Sequence, residues 1–180
     1  MVVFRANSAN GEVIGDAIIA LVEGMGAFKA TALKILEEKG IIEPKPGKWY
    51  KLQAYLDAYR IIYERLGDMT LKVIGMKLPE NVVLPPGLDS VEKLLIGGML
   101  DKAYNMNVRG GDMGGYFFEK TEKRKGIMSC TNPFPCAFDI GLINGFMNKF
   151  RASGSIPRVK HIDGSCRMKG NNECKYELAW

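Results

Sequence analysis

The apolar residues of this chain change their period at Gly110-Gly111, and that change restricts the folds open to it. Before it they recur every three or four positions, as helices with one buried face require; after it come short β-prone runs separated by turns and by one further helical stretch. From Val13 to Lys39 the stripe is Ile14, Ile18, Leu21, Met25, Phe28, Ala32 and Ile35, with Gly40 as its stop. Gly24 and Gly26 each weaken the middle of that helix by roughly 1 kcal/mol, which opens it to a kink or a break. Two prolines within Ile42-Glu43-Pro44-Lys45-Pro46-Gly47 remove backbone donors and forbid its continuation. Helical spacing resumes through Trp49, Leu52, Leu56, Tyr59, Ile62 and Leu66, so residues 1–67 are expected to form an antiparallel helical pair, a packing or dimerisation element.

Residues 68–180 are expected to form the ligand-binding part. A third short helix can run from Asp68 to before Pro79, and Asp89 with Glu92 has the spacing of a capping box for a fourth reaching about Asn105. Pro85-Pro86-Gly87 is a turn between them. Tyr116-Phe117-Phe118-Glu119 and Ile127-Met128-Ser129-Cys130 flank the charged tip Lys120 to Lys125 and predict a hairpin. A helix from about Phe134 to Phe150 follows, with Phe138, Leu142, Gly145 and Phe146 on its apolar side. Arg158 to Met168 and Glu173 to Ala179 then flank the turn Lys169-Gly170-Asn171-Asn172, a second hairpin. The expected class is α+β: N-terminal helices, then an antiparallel sheet packed against helices, closing on a cysteine-bearing hairpin.

Composition narrows the functions. With 180 residues, 47% hydrophobic and 25% charged, the chain has the make-up of one globular domain. Its net charge of +5 would suit a polyanion only if the basic residues gathered on one face; the densest run is a hairpin tip, and nucleic acid is not an expected partner. No apolar run approaches the ~18 residues of a membrane span. The segment Met1-Val2-Val3-Phe4-Arg5-Ala6-Asn7-Ser8 lacks the pattern of a secretory signal, so a cytoplasmic location is expected, where cysteines are reduced thiols or metal ligands.

All four cysteines fall in the final third. Cys166 and Cys174 lie at similar distances from the terminal turn, and two thiolates opposed across an antiparallel pair, ~4.5–5.5 Å apart at Cα, can chelate one soft cation, with zinc the natural choice. Tetrahedral zinc needs two more ligands, from Cys136, Asp163, His161 and Cys130; spacing alone does not choose among them. The intervals Cys-x₅-Cys and Cys-x₇-Cys are wider than those of a zinc knuckle, and buried structural thiols are the bland alternative. His161 is the single histidine, and a lone histidine is more often a satisfied surface or core residue than a ligand or a base. A Cys136–His161 nucleophile would lack an orienting partner and an oxyanion hole. The glycine-rich run Arg109 to Gly115 lacks the Lys-Ser/Thr of a phosphate loop and is a connection.

Three ordered segments carry a resemblance: Pro135-Cys136-Ala137-Phe138-Asp139-Ile140-Gly141-Leu142-Ile143-Asn144-Gly145, then Val159-Lys160-His161-Ile162-Asp163, then Cys166-x₇-Cys174-Lys175-Tyr176. Together they resemble the 4-vinyl reductase domain, closely over about the last seventy residues and more loosely over the preceding helix and hairpin from Asp89 onward. The resemblance implies an α+β fold shared with haem-dependent nitric oxide sensor domains and vesicle-tethering (TRAPP) subunits, an apolar ligand cavity between helices and sheet, and homodimers. From phenol-sensing relatives it implies a structural zinc on Cys136, Asp163, Cys166 and Cys174. The acidic ligand there is usually glutamate, however, and strand alternation sets Asp163 opposite Cys166 unless a bulge forms near Gly164, which keeps His161 and Cys130 as substitutes. Those relatives also carry ATPase and DNA-binding regions that these 180 residues do not contain.

The leading functional expectation is therefore a non-enzymatic binding or sensor module for a small apolar or aromatic ligand, with candidate wall residues Tyr104, Phe117, Phe134, Phe138, Phe146 and Trp180. Residues of this kind are more often ordinary core than ligand contacts, because any helix packed on a sheet needs such a stripe. The alternative is a reductase or accessory factor in tetrapyrrole metabolism using an iron–sulfur cluster on Cys130, Cys136, Cys166 and Cys174, although no dinucleotide or haem-attachment motif accompanies it. A third expectation is an assembly subunit, with an exposed stripe of the first helix forming a dimer or complex.

Overall fold

Residues 3–180 are described by the structure, a computed structural model; Met1 and Val2, the start of the segment tested above for a leader, lie outside the described residues. Glu12–Ile14 (β1), Trp49–Lys51 (β2) and Val108–Arg109 (β3) form a small antiparallel sheet in the order β2-β1-β3. Strands this short escape a helical reading of the sequence, because three residues leave no room for alternation to show. The first helix, α1, consequently spans Gly15–Gly24 and does not begin at Val13. It breaks where the glycines predict: Gly26 has φ 54°, a short 3₁₀ turn follows, and α2 runs Lys29–Glu38. Gly40, at φ 81°, ends α2, its amide donating to the carbonyl of Glu37 while that of Ile41 donates to Leu36. Phe28, counted in the predicted stripe, sits at the break and is 54% exposed.

Helix α3 covers Leu52–Lys77 and turns at Gly67, whose φ of 76° no helical residue adopts. The helix expected from Asp68 is its second arm, so the division expected at residue 67 falls on this kink, and apolar residues on both sides join one core. The fourth expected helix is two: α4 (Val91–Leu95) and α5 (Met99–Asn107), parted by Gly98 at φ 65°. Its cap is Ser90, whose hydroxyl accepts from the Lys93 amide at 3.3 Å, while the Asp89 carboxylate takes the Lys93 ammonium instead.

The larger sheet pairs β4 (Tyr116–Glu122), β5 (Lys125–Cys130), β7 (Cys174–Ala179) and β6 (Arg158–His161), in that order and all antiparallel. The first hairpin matches its expectation. In the second, β6 stops at His161, paired with Tyr176, so Cys166 lies in the connection before a 3₁₀ turn at Arg167–Lys169 and not on a strand opposite Cys174. The cross-strand partner of Cys174 is Cys130, which in turn faces Tyr116. Tyr116, Met128, Cys130, Cys174, Tyr176 and Leu178 are buried on the inner face.

Helix α6 (Cys136–Phe150) packs along α3 with almost no space between the backbones. A Cβ added to Gly141 would stand 2.1 Å from the Lys72 carbonyl oxygen, one on Gly145 2.5 Å from that of Met76, and one on Gly75 2.4 Å from that of Phe138. These three glycines let α6 lie deep enough for its first turn to reach the sheet. Among the described residues no helix is long and apolar enough to cross a membrane. Because backbone cannot yield as a side chain can, Gly141→Ala should lower the unfolding free energy by about 1–3 kcal/mol, seen as an earlier urea midpoint; an unchanged midpoint would refute the close-packed seam.

Candidate metal centre and apolar cavity

Three separate pieces of chain bring sulfur atoms to one point. Cys136 opens α6, after Pro135 has set the entry into the helix; Cys166 precedes the 3₁₀ turn; Cys174 begins β7. The Cys136 Sγ lies 3.3 Å from that of Cys166 and 3.1 Å from that of Cys174. His161 joins them because it faces Tyr176 across the β6–β7 ladder, two residues along the same face from Cys174. Its ring meets the Tyr176 ring edge-on at 5.1 Å. The four ligand atoms lie within 4.8 Å of one another, and among the described residues the buried Nε2 of His161 makes no hydrogen bond of ordinary geometry. Three thiols and an imidazole at this spacing are the donor set of a tetrahedral soft-metal site.

The surroundings favour thiolate. The backbone N–H and the Nε–H of Arg167 both donate to the Cys174 Sγ, at 3.2 and 3.3 Å. A hydrogen bond from the Cys136 thiol, with the charge and backbone N–H of Arg167, holds the Cys174 thiol well below its ordinary range despite burial. The same contact with Cys174, and burial, push Cys136 up. Arg167 reaches onward: Nη1 donates to the Asn132 Oδ1 at 3.0 Å, and Nη2 pairs with Asp139, both side chains being wholly buried. Asp139 also accepts from Tyr116 at 2.8 Å, Asn132 at 3.1 Å and Tyr176 at 3.2 Å. Burial raises its carboxyl to about 6, with Arg167 and the hydrogen bonds from Tyr116 and Asn132 opposing the rise, and all four of its partners are donors, the set a carboxylate accepts.

Beyond this network lies a cavity of about 40 Å³ between α1, α3, α5 and α6. Tyr55, Leu78, Leu100, Ala103, Leu142 and Phe146 are among its wall residues, with Tyr104, Phe134 and Phe138 on the side toward the cysteines. The polar atoms of the wall are engaged with the protein. Tyr55 donates to the Ala17 carbonyl and Tyr104 to that of Met113, both at 2.8 Å, while the Asn107 amide is spent on the backbone of Val83 and Ala103.

The expected site residues divide accordingly. Cys136, Cys166 and Cys174 come together, with His161 in the fourth place. Asp163 is exposed on the connection after β6 and stands outside the group, because the strand ends before it and no bulge turns it inward. Cys130 is buried on β5, also outside it, its thiol pushed up by burial. Tyr104, Phe134, Phe138 and Phe146 line the cavity. Phe117 does not: it alternates with the inward Tyr116 and is 55% exposed. Trp180 does not either, since its indole donates to Glu92 at the surface and its ring meets Phe118. Sequence reasoning missed Asp139 and Arg167 as a pair. The available signal was that Asp139 is the one charged residue between Lys125 and Lys149.

No family model and no curated protein matches this sequence. Solved structures do resemble its fold. An H-NOX protein from S. oneidensis in the Fe(II) ligation state aligns with 92% of this chain and 95% of its own at TM-score 0.61 and 14% identity. An oxygen-binding H-NOX domain related to soluble guanylate cyclases aligns over 91% and 89%, at 0.61 and 14%. An H-NOX structure from work on haem distortion in that family aligns over 92% of each chain, at 0.61 and 15%. At such identities the likeness is one of fold.

Haem does not fit the residues present. The cavity wall offers no histidine, cysteine or methionine, its two tyrosine hydroxyls are committed to carbonyls, and the single histidine of the chain stands in the cysteine group. Asp139→Asn would leave the Arg167 guanidinium buried without its counter-charge. It should destabilise the protein by about 3–5 kcal/mol in guanidinium denaturation, whereas a loss within experimental error would show that the pair is solvated.

Proposed function

We propose that this chain is a binding or sensor domain for a small apolar molecule, with a structural zinc held by Cys136, His161, Cys166 and Cys174. The observation that carries the ligand reading is the cavity, whose polar wall atoms are already satisfied, so that recognition would rest on shape and apolar contact. At about 40 Å³ it is well below the about 150 Å³ that admits benzene to an engineered core, and a ligand larger than a few atoms must displace its walls. The fold shared with H-NOX domains supports a sensor role, and the motif resemblance to 4-vinyl reductase domains supports the same reading over α6 and the terminal hairpin. That hairpin carries His161 where the resemblance implied Asp163.

The ligand would enter without haem chemistry. When bound, zinc would cross-link the start of α6, the connection after β6 and the start of β7; Arg167 would stabilise the Cys174 thiolate, and Tyr176 would hold the imidazole of His161 in place. A reductase with an iron–sulfur cluster is the weaker reading, because Cys130 stands outside the group that its four cysteines would have to form. The homodimer belongs to the same proposal, although the face of α1 expected to form it is buried inside the chain. Sedimentation of a monomer at all concentrations would remove it.

Two measurements test the reading. Protein purified without chelator should contain one zinc per chain, and Cys166→Ser should lose it together with several degrees of melting temperature; equal metal content in both would displace the site. Xenon should shift the methyl resonances of Leu100 and Leu142, and Ala103→Leu, which fills the cavity, should abolish the response. Xenon binding that survives this substitution would place the ligand site elsewhere.

A further inference from the structure

Few polar side chains are buried among the described residues, and three of them, Asn132, Asp139 and Arg167, stand between the cysteine group and the cavity. A buried ion pair is weak evidence for stability, since apolar replacements of similar volume often serve as well. Its position is more telling. One edge of the guanidinium meets the Cys174 sulfur through Nε–H, at 3.3 Å. Its other nitrogens hold Asn132 and Asp139. Asn132 Oδ1 also accepts the Phe134 amide at 2.9 Å, and so fixes the loop that puts Phe134 into the cavity wall. Asp139 sits on α6 between the wall residues Phe138 and Leu142. Through Tyr116, which it binds, it also supports Tyr104, whose ring meets that of Tyr116 edge-on at 5.4 Å.

We propose that Arg167 is a positioning residue through which occupancy of the Cys136–His161–Cys166–Cys174 group by a divalent cation sets the shape of the apolar cavity. The inference rests on the metal and ligand reading above and adds the link between them. A cation entering among these three sulfurs displaces the remaining thiol protons, draws the Cys174 sulfur toward itself and takes up part of the charge to which Arg167 donates. The guanidinium is wholly buried and bonded on both sides, so it follows the sulfur, and Asn132 and Asp139 follow the guanidinium. Phe134, Phe138 and Tyr104 are the wall residues that these two groups support. Coupling of this kind is reciprocal, so a molecule that favours one wall arrangement changes metal affinity by the same factor.

The test uses the full chain with labelled methyl groups, stripped with EDTA and titrated with zinc, with xenon as the cavity probe. In the wild-type protein zinc should move the methyl resonances of Leu100, Ala103 and Leu142 and change xenon affinity by about fivefold or more. Arg167→Lys keeps the charge but loses the fork. It should still take one zinc at saturation, with affinity lowered about 10–100-fold, and its xenon affinity should no longer respond to zinc. The double variant Arg167→Met with Asp139→Leu removes both charges, leaving neither unpaired, and should behave likewise should the lysine variant fold poorly. Equal xenon affinity and unmoved methyls with and without zinc in the wild type would overturn the proposal, as would full coupling in a folded variant. Methyl shifts on zinc binding without any xenon response would support the link and refute the ligand reading alone; no zinc uptake would refute the metal reading and the link with it.

Discussion

A carboxylate with no exposure to water, on the first turn of α6, is the constraint around which the C-terminal part of this molecule is arranged. Buried charge is tolerated only where hydrogen bonds and an opposite charge replace water. Asp139 draws them from four places: Asn132 before the helix, Tyr116 on β4, Arg167 in the long connection and Tyr176 on β7. Satisfying one side chain thus fixes the helix start, two strands and a loop relative to one another. Cys136 is one helical turn before Asp139, Cys166 adjoins Arg167, and Cys174 is two residues from Tyr176. The three thiols meet because their neighbours meet.

The same arrangement places the cysteine group and the cavity on either side of one polar layer, with the α3–α6 glycine seam closing the back. The H-NOX structures share the course of the chain but little of its sequence, and here aromatic rings fill the region between helices and sheet. Phe134 and Phe138 lie 4.9 Å apart at their centroids, and Tyr59 packs on both at 5.5 and 5.1 Å. Rings in such contact leave room for little more than a few atoms, and they supply no axial ligand. What is shared is the course of the chain; the side chains that fill its interior are this protein's own.

Much of this was legible in the residues. Helical periodicity, the breaks at Gly26 and Gly40 and the first hairpin follow from local chemistry, and so they were readable. The strands at Glu12–Ile14, Trp49–Lys51 and Val108–Arg109 were not, because their pairing is set by partners far along the chain and they are too short to show alternation. At the site, Cys136, Cys166 and Cys174 could be named, whereas the fourth position turned on where β6 ends. A strand that stops at His161 presents His161 to the sulfurs and leaves Asp163 in solvent, and that end point depends on the register with Tyr176, which only the folded sheet determines. Arg167 was hidden for a related reason: a basic residue in a loop beside a turn looks solvated until the loop folds inward.

X-ray absorption at the metal edge of the protein as purified tests the central claim most directly. A zinc ion with three sulfur neighbours at about 2.3 Å and one nitrogen at about 2.0–2.1 Å is the predicted shell. A shell of oxygen and nitrogen alone, or one of four sulfurs, would contradict the centre built from Cys136, His161, Cys166 and Cys174.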